Sequence, residues 1–246
     1  MMPFISEGDE VMVPDPSYPS NFLNPKLLGG KTVPVPLYPE DNYQVRIEEF
    51  EKRLTPRTKM VLLTHPNNPT TTVYRCESIE RCAASSSTTI WCWCATRRLK
   101  TTSTMASNSW RVHAARHVGA HGHSLFLLQG HGPERLPGGY IFADDVIMDT
   151  MYATAVNIQG AANTMVQMAM IPAYEDTSFI QDYVAEQDFR RRYAYEKFNA
   201  VPGVSMPLME SGFYGWVNVS RLGDSSEITA YLAEEAKTLV NDGKFY

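Results

Sequence analysis

The chain has 246 residues, of which 43% are hydrophobic and 20% charged, and its formal net charge is −5 at pH 7. This composition indicates one large or two smaller globular domains with a substantial core. The acidic balance gives no signal for binding nucleic acid or an anionic membrane surface. No apolar run approaches the roughly 18 residues of a membrane-spanning helix, and the first residues lack the basic start of a signal peptide. We therefore expect a cytoplasmic protein.

Residues 1–77 have the pattern of an α/β fold. Two short apolar runs, over 9–14 and 29–37, read as strands, and the prolines of the second run predict a strand at the edge of a sheet. A short amphipathic helix is predicted over 47–54. The apolar residues 59–64 follow it and indicate a buried strand. Strand, helix and strand at this spacing predict a βαβ unit, which implies a parallel sheet.

Residues 140–246 also have ordinary helix and strand patterns. They predict a mostly helical segment over 145–170, a long helix over 179–199 with its N-cap in 176–178, a strand over 212–219, and a last helix over 227–239 capped by Ser225 or Ser226. We therefore assign residues 1–178 to a large domain and residues 179–246 to part of a smaller C-terminal domain.

The segment between Arg81 and Gly139 differs from both flanks. It holds a single acidic residue, Glu134, together with five of the six histidines and three of the four tryptophans. No window in this segment shows the period of a helix or a strand. A loop of this length is unusual inside a compact domain. We therefore predict that residues 82–139 are disordered or poorly packed.

The same segment concentrates residue types that bind metals. All four cysteines fall within 76–94, and in a reducing compartment clustered cysteines indicate a metal before disulfides. A zinc site is therefore an alternative interpretation, with these candidate ligands: Cys82, Cys92, Cys94, His113, His117, His121 and His123. Because their spacings match no common Cys/His finger, we assign no metal ligand.

Three short motifs occur in an order that points to one family. The first is Pro-Ser-Tyr-Pro at 16–19. The second is Asn-Asn-Pro-Thr at 67–70, directly after the buried strand, and the third is Ser-Gly-Phe-Tyr-Gly-Trp at 211–216. Together they resemble the "PxYP", "NPxNPTG" and "GAFYxW" motifs of the class I/II aminotransferases. The second motif is the most specific of the three, and the matching blocks extend over most of the chain.

This resemblance implies a fold and a cofactor. The expected architecture is α/β, fold type I of the transferases that depend on pyridoxal 5'-phosphate (PLP). It combines a partial large domain around a mostly parallel sheet with part of a smaller α+β C-terminal domain. Family members are usually homodimers that exchange an amino group between an amino acid and a 2-oxo acid. The same fold also supports lyase, synthase and racemase chemistry, so the substrate stays open.

The resemblance assigns two cofactor-binding residues. Asn68 corresponds to the asparagine that hydrogen-bonds the phenolic oxygen of PLP, although a plain Asn-Pro turn after a strand has the same sequence. Tyr18 corresponds to the aromatic residue that stacks on the pyridine ring, and the alternative is a core tyrosine in a proline-rich turn. Thr71 occupies the position where the family usually has glycine, which predicts a less tight turn.

The catalytic residues of the family are missing from their expected positions. No lysine lies between Lys100 and Lys197, and Gln129 occupies the position of the lysine that binds the cofactor covalently. The aspartate for the pyridine nitrogen would fall at 95–96 and the phosphate-binding arginine at 137–138, where neither residue type stands. We therefore predict that the chain has no catalytic residue, is inactive as given, and is truncated at both ends relative to the family.

A shifted reading frame explains these losses. Alternative frames over 90–100, 116–124 and 128–139 can encode segments that are similar to family motifs, in the family's order. We infer that residues 82–139 are a frame-shifted translation of an aminotransferase gene. The alternative interpretation is a catalytically inactive, aminotransferase-like interaction or regulatory protein.

Overall fold

The structure is a computed structural model, and it describes residues 1–75, 91–97, 121–126, 139–142, 145–176 and 178–246. Six strands are present in these residues: β1 (Glu10–Asp15), β2 (Lys31–Pro36), β3 (Thr58–His65), β4 (Trp91–Arg97), β5 (His121–Phe126) and β6 (Gly139–Phe142). Six α-helices accompany them: α1 (Pro19–Leu27), α2 (Ile47–Glu51), α3 (Asp145–Ile158), α4 (Thr164–Glu175), α5 (Ser178–Asn199) and α6 (Ser225–Glu234).

The six strands form one sheet with the order β2-β1-β3-β4-β5-β6. Strands β1 to β5 are parallel, and β6 runs antiparallel to β5. Parallel neighbours need crossover connections, and α1 and α2 lie in the connections from β1 to β2 and from β2 to β3. The predicted α/β fold with a mostly parallel sheet is confirmed. Because parallel strands end at the same edge, the loops after β1 and β3 lie side by side.

Apolar side chains cover both faces of the sheet around β1 and β3. In β1, Val11 belongs to one buried cluster and Met12 to the other, and in β3 Leu62 and Leu63 divide in the same way. This division follows from the two-residue period of a strand, which sends successive side chains to opposite faces. The face of Met12 and Leu63 packs against Phe50 of α2. The crossover helix thus covers the sheet next to β3.

β2 confirms the predicted edge strand. It pairs with β1 alone among the described strands, and it contains Pro34 and Pro36. A proline has no N–H to donate to a second neighbour, so a strand with two prolines suits an edge and not the centre of a sheet. The predicted βαβ unit corresponds to β2, α2 and β3, because both strands run parallel to β1.

The second half of the described chain is helical. The long helix α5 is confirmed, and Asp176 Oδ1 accepts the backbone N–H of Ser178 at 2.8 Å. The helical segment predicted over 145–170 is two helices, since α3 ends before Gly160, which adopts φ +69°. Asn163 then caps α4. Among the described helices, none combines the length and the apolar character that crossing a bilayer requires.

Two predictions for the C-terminal region are wrong. Residues 212–219 form no strand, and the described residues hold only an isolated bridge between Ser205 and Asn218, because no neighbouring strand completes a ladder there. The last helix is capped by Asp224, and not by Ser225 or Ser226, since the Asp224 side chain accepts the N–H of Ser226 at 2.9 Å. That helix ends at residue 234, earlier than predicted.

Two stretches of the segment 82–139 form strands, so disorder is wrong for residues 91–97 and 121–126, while the predicted poor packing stays a prediction. β4 pairs in parallel with β3, and β5 pairs in parallel with β4. A strand in a parallel sheet need not show apolar alternation, so periodicity could not reveal these two. The residues of this segment that belong to no strand lie outside the described residues. The domain boundary at residue 178 stays a prediction.

Candidate functional site

Polar residues are buried at the carboxyl end of β3. Residues 65–72 are all buried, although they include two asparagines and three threonines. Buried polar groups need hydrogen-bond partners. Asn67 makes several of the hydrogen bonds within this loop. Its backbone N–H donates to Thr72 O at 2.9 Å, and its Nδ2 donates to Thr70 Oγ1 at 2.9 Å. These bonds fix the loop from within.

Asn68 shares with Asn67 a buried side-chain oxygen that accepts no hydrogen bond from the described residues. Asn68 is 5% exposed, and its Oδ1 has no hydrogen-bond partner within the described residues. Leaving a buried amide oxygen unsatisfied costs about 1–3 kcal/mol. The Asn68 amide is therefore suited to bond a group that these residues do not provide, which is what the resemblance implies for a cofactor-binding residue.

Tyr18 lies in the neighbouring loop, which follows β1. It directly precedes α1 and is half-buried. Asn67 Nδ2 donates a hydrogen bond to Pro16 O at 3.0 Å. This bond joins the turn that holds Tyr18 to the loop that holds Asn68, at one edge of the sheet. The roles of Tyr18 and Asn68 toward a cofactor stay predictions.

A second contact, between α1 and the end of β3, was not predicted from the sequence. Asn21, in α1, donates from Nδ2 to Thr64 Oγ1 at 2.7 Å and to Ser17 Oγ at 2.9 Å. Thr64 and Asn21 are 43 residues apart. A single asparagine in a proline-rich segment carries no local signal for such a contact, so only the folded chain identifies it.

His65 is the last residue of β3, and its ring is neutral. It is 3% exposed, and its Nδ1 accepts the backbone N–H of Tyr74 at 3.3 Å. Burial lowers the pKa of His65 to about 4, because a charged imidazolium would lose its hydration there. At neutral pH the ring is therefore an uncharged hydrogen-bond acceptor beneath the loop that carries Asn68.

Thr71 adopts a backbone conformation that favours glycine. Its φ is +62°, in the left-handed region, which costs an L-residue about 1–2 kcal/mol. The turn nevertheless closes, because the Thr71 N–H donates to Asn67 O at 2.9 Å. The prediction that this turn is less tight than one with glycine stays a prediction. The surrounding hydrogen bonds hold the threonine in the conformation that a glycine would adopt more easily.

β4 contains the position at which the resemblance predicts an aspartate, beside this loop. Ala95 pairs with Thr64, and Thr96 pairs with His65. The position expected for an aspartate therefore lies at the carboxyl edge of the sheet, where the sequence has alanine and threonine. Gln129, at the position expected for the lysine, lies between β5 and β6 in the chain and outside the described residues.

The metal alternative has no support in the described part of the chain. No group of three His, Cys, Asp or Glu residues there could hold an ion. The candidate zinc ligands of residues 82–123 lie outside the described residues, or in strands whose side chains are not described. The zinc interpretation therefore stays an untested alternative.

Comparison with known families identifies the class of the protein. The profile described as "Aminotransferase class I and II" matches residues 1–90 and 111–246. The chain therefore belongs to the aminotransferase class I and II family, whose enzymes depend on PLP. The match omits residues 91–110 and resumes inside the segment that we attribute to a shifted frame. The frameshift stays a prediction.

Curated relatives are longer than this chain. The chain is 26% identical over 268 aligned residues to the probable aspartate/prephenate aminotransferase of Aquifex aeolicus (strain VF5), with 100% of this chain and 64% of the relative covered. It is 24% identical over 260 residues to the aspartate aminotransferase of Musicola paradisiaca (strain Ech703), with 99% and 62% covered. The chain thus spans less than two thirds of the length of these relatives.

Solved structures share the fold. The aspartate aminotransferase from Thermus thermophilus, solved with maleate, superposes with a TM-score of 0.88 at 22% identity, with 99% of this chain and 64% of that chain covered. The alanine aminotransferase from Pyrococcus furiosus gives a TM-score of 0.81 at 22% identity, with 96% and 62% covered. Similarity at this identity shows the fold alone, which is fold type I of the PLP-dependent enzymes.

The residues at the carboxyl edge fit one half of a PLP site. Asn68 offers a buried amide and Tyr18 an aromatic face, the groups that hold the edge and the face of a planar heterocycle. The other half needs an amine for covalent attachment and a carboxylate for the ring nitrogen. Ala95, Thr96 and Gln129 supply neither group. The described residues therefore fit placement of the ring, and the lack of covalent attachment stays a prediction.

Proposed function

We propose that this chain has the scaffold of a PLP-dependent aminotransferase and that, with its present sequence, it does not catalyse amino-group transfer. The intact form would transfer an amino group between an amino acid and a 2-oxo acid. The observation that carries the proposal is the buried Asn68 amide at the carboxyl edge of a parallel sheet, where α/β folds place ligands. Membership of the aminotransferase family supports the reaction class.

Two described residues would orient the cofactor. When bound, PLP supplies an electron sink that lets the amino group and the α-proton of a substrate move. Asn68 would hold the phenolic oxygen of the ring, and Tyr18 would cover one face of it. The hydrogen bond between Asn67 Nδ2 and Pro16 O keeps these two loops in register. Asn68 and Tyr18 would thus position the ring.

The missing chemistry explains the proposed inactivity. A lysine amine both attaches the cofactor and transfers the proton in this family, because it is nucleophilic and basic. The amide of Gln129 is neither, so it can do neither task. A carboxylate beside the ring nitrogen keeps that nitrogen protonated, and Ala95 and Thr96 have no carboxylate. We therefore expect reversible binding without turnover.

Titration of the purified chain with PLP tests the cofactor proposal. We expect saturable binding by equilibrium dialysis, weakened about tenfold in Asn68→Ala because one hydrogen bond is lost. The control is Asn163→Ala, at the N-cap of α4, which should bind as the wild type does. Absence of saturable binding by the wild-type chain would overturn the proposal.

Reduction with borohydride tests the inactivity separately. After incubation with PLP and reduction, peptide mapping should find no stoichiometric label on any single lysine, and no amino acid should be turned over. Residues 101–196 contain no lysine. Lys100 is therefore the lysine nearest in sequence to Gln129 and the candidate for labelling. Site-specific labelling of Lys100 together with turnover would show that the chain is active as given.

The nucleotide sequence between the codons for Glu80 and Tyr140 tests the frameshift. We expect insertions or deletions that restore one open frame with an aspartate at 95–96, within β4, and a lysine between β5 and β6. The restored chain should then bind PLP covalently. An error-free read that keeps the present frame, with relatives that encode the same histidine-rich segment, would contradict the frameshift.

We also propose that the intact protein is a homodimer. On α3, Tyr152 and Val156 are four residues apart and exposed, and on α4 Met165 and Met168 are three residues apart and exposed. These spacings place each pair on one helix face, and exposed apolar faces are typical of interfaces. Light scattering should show a dimer that Met165→Glu weakens and Leu239→Glu, at another exposed position, leaves intact. A monomer at micromolar concentration would contradict this.

We further propose a cytoplasmic protein that acts on small molecules, with neither nucleic acid nor membrane as a partner. The net charge of −5 supports this proposal, because an acidic protein is repelled by anionic surfaces. Fractionation of cells that express the native gene measures the location. Recovery in a membrane or secreted fraction would contradict the proposal.

A further inference from the structure

The loop after β3 is also held from a distant part of the chain. Glu210 Oε2 accepts the backbone N–H of Val73 at 2.7 Å, and Glu210 Oε1 accepts from Arg75 Nη2 at 3.1 Å. The next residue, Ser211, donates from Oγ to Thr71 O at 3.1 Å. Glu210 and Ser211, which we name the distal clamp, are more than 100 residues away from these partners in sequence.

In the polar distal clamp, Ser211 is buried and Glu210 is half-buried. Ser211 is 3% exposed, and the side chain of Glu210 is 15% exposed. Removing a carboxylate from water is costly, and two hydrogen bonds to one carboxylate offset this cost because charge-assisted bonds are strong. Arg191 of α5 bonds the residue that precedes the clamp, since its Nη1 donates to Met209 O at 3.0 Å. The clamp thus connects α5 to the loop after β3.

Asn68 depends on its backbone for its position. No residue in the described part of the chain hydrogen-bonds its Oδ1. Two backbone bonds join the residues held by the clamp to the residue before Asn68: Thr71 N–H donates to Asn67 O, and Asn67 N–H donates to Thr72 O, both at 2.9 Å. A displacement of residues 71–73 would therefore move Asn67 and change the direction of the Asn68 amide.

We propose that Glu210 is a positioning residue for Asn68. Its carboxylate fixes Val73 and Arg75, and the backbone bonds of Asn67 pass this constraint to the Asn68 amide. The proposal rests on the proposed cofactor role of Asn68. The bond to Val73 is the main determinant, because it is short and involves the backbone, whereas the side chain of Arg75 is 57% exposed and its ion pair is weakened by solvent.

Two substitutions of Glu210 test the proposal. Glu210→Ala removes both hydrogen bonds, and Glu210→Gln keeps an acceptor for Val73 but removes the charge. We expect Glu210→Ala to speed amide exchange at Val73 about tenfold or more, because a bond to a charged group is lost. It should also shift the side-chain amide signal of Asn68 in NMR spectra, a signal assigned by its loss in Asn68→Asp. Glu210→Gln should produce the same changes at smaller size.

A matched control separates positioning from general loss of stability. Asn163→Ala removes the N-cap of α4, at a cost of the same order as a hydrogen bond. It should leave the Asn68 signal unmoved. If Glu210→Ala leaves the Asn68 signal unmoved as well, or if both variants move it equally, the proposal is wrong. If Glu210→Ala does not fold, the amide exchange of Val73 and the Asn68 signal are measured in Glu210→Gln, and the same outcomes apply.

Affinity for PLP distinguishes this proposal from the proposed function. If the wild-type chain binds PLP, Glu210→Ala should bind it several-fold more weakly, while Asn163→Ala should bind it as the wild type does. Unchanged affinity in Glu210→Ala would overturn the positioning role. If the wild-type chain does not bind PLP, the proposed function fails, and the Asn68 signal alone decides whether Glu210 positions that side chain.

Discussion

We expect His65 to make the stability of this protein depend on pH. Burial lowers the pKa of His65 to about 4 in the native state, whereas an unfolded histidine titrates near 6.5. Between these two values the unfolded chain binds a proton at His65 and the native protein does not. The free energy of unfolding therefore rises with pH in this window. The contribution of His65 is fully present above about pH 6.5 and is lost as the pH falls toward 4.

The size of this effect follows from the two pKa values. Their difference corresponds to roughly 3 kcal/mol of unfolding free energy at full effect, a large share of the about 5–15 kcal/mol that stabilises a typical domain. The structure gives the reason. The ring lies at the end of β3, 3% exposed, and its Nδ1 accepts the N–H of Tyr74. A proton on Nδ1 would remove this acceptor and place a charge in the core.

The assay compares the wild type with His65→Asn. An asparagine does not titrate here, and its Oδ1 can accept the N–H of Tyr74. Urea unfolding, followed by circular dichroism at pH 7, 6 and 5, gives the free energy of unfolding for both proteins. The carboxylates titrate in both, so the difference between the two pH slopes isolates His65. We expect the wild type to lose stability more steeply than the variant as the pH falls.

Two results would refute this reasoning. Equal pH slopes in the wild type and in His65→Asn would show that His65 does not contribute to the pH dependence. An NMR titration gives the second result. The ring signal of His65 is identified among the six histidines by its absence from the variant. A native pKa near the ordinary histidine value would show that burial does not destabilise the charged ring.

Three further predictions concern packing and backbone geometry. Leu63→Ala, at a fully buried position, should lower the free energy of unfolding by about 3–5 kcal/mol. The control Leu239→Ala, at a position that is 88% exposed, should change it by less than about 0.5 kcal/mol. Similar losses in the two variants would contradict the assigned core. Thr71→Gly should stabilise the turn by up to about 1 kcal/mol, since φ is positive there, and a loss in urea unfolding would argue against that conformation. Burial raises the pKa of Tyr43, and the hydrogen bond from Trp216 Nε1 opposes this rise. Trp216→Phe should therefore raise the pKa of Tyr43 further in an ultraviolet titration, and a fall would contradict the contact.

The sequence by itself determined the features that have a local signal. The apolar run over 59–64 predicted β3, because a continuous apolar stretch bounded by turn residues indicates a strand covered on both faces. The prolines of β2 predicted an edge strand, because a missing N–H cannot complete a second ladder. The long helix α5 followed from its polar cap and length. The motif at 67–70 singled out Asn68, which lies buried at the carboxyl end of β3.

Only the tertiary structure decided which distant groups meet. α1 was missed, since a proline inside a helix argues against one, yet Pro25 lies within α1 and is buried. Residues 212–219 have the composition of a strand and form none, because strand formation needs a neighbouring backbone. Conversely, pairing with β3 reveals β4 without an apolar period. The contact of Glu210 with Val73 joins residues that are 137 positions apart. Such contacts depend on which segments the folded chain brings side by side, and the spacing of residues along the sequence does not specify that.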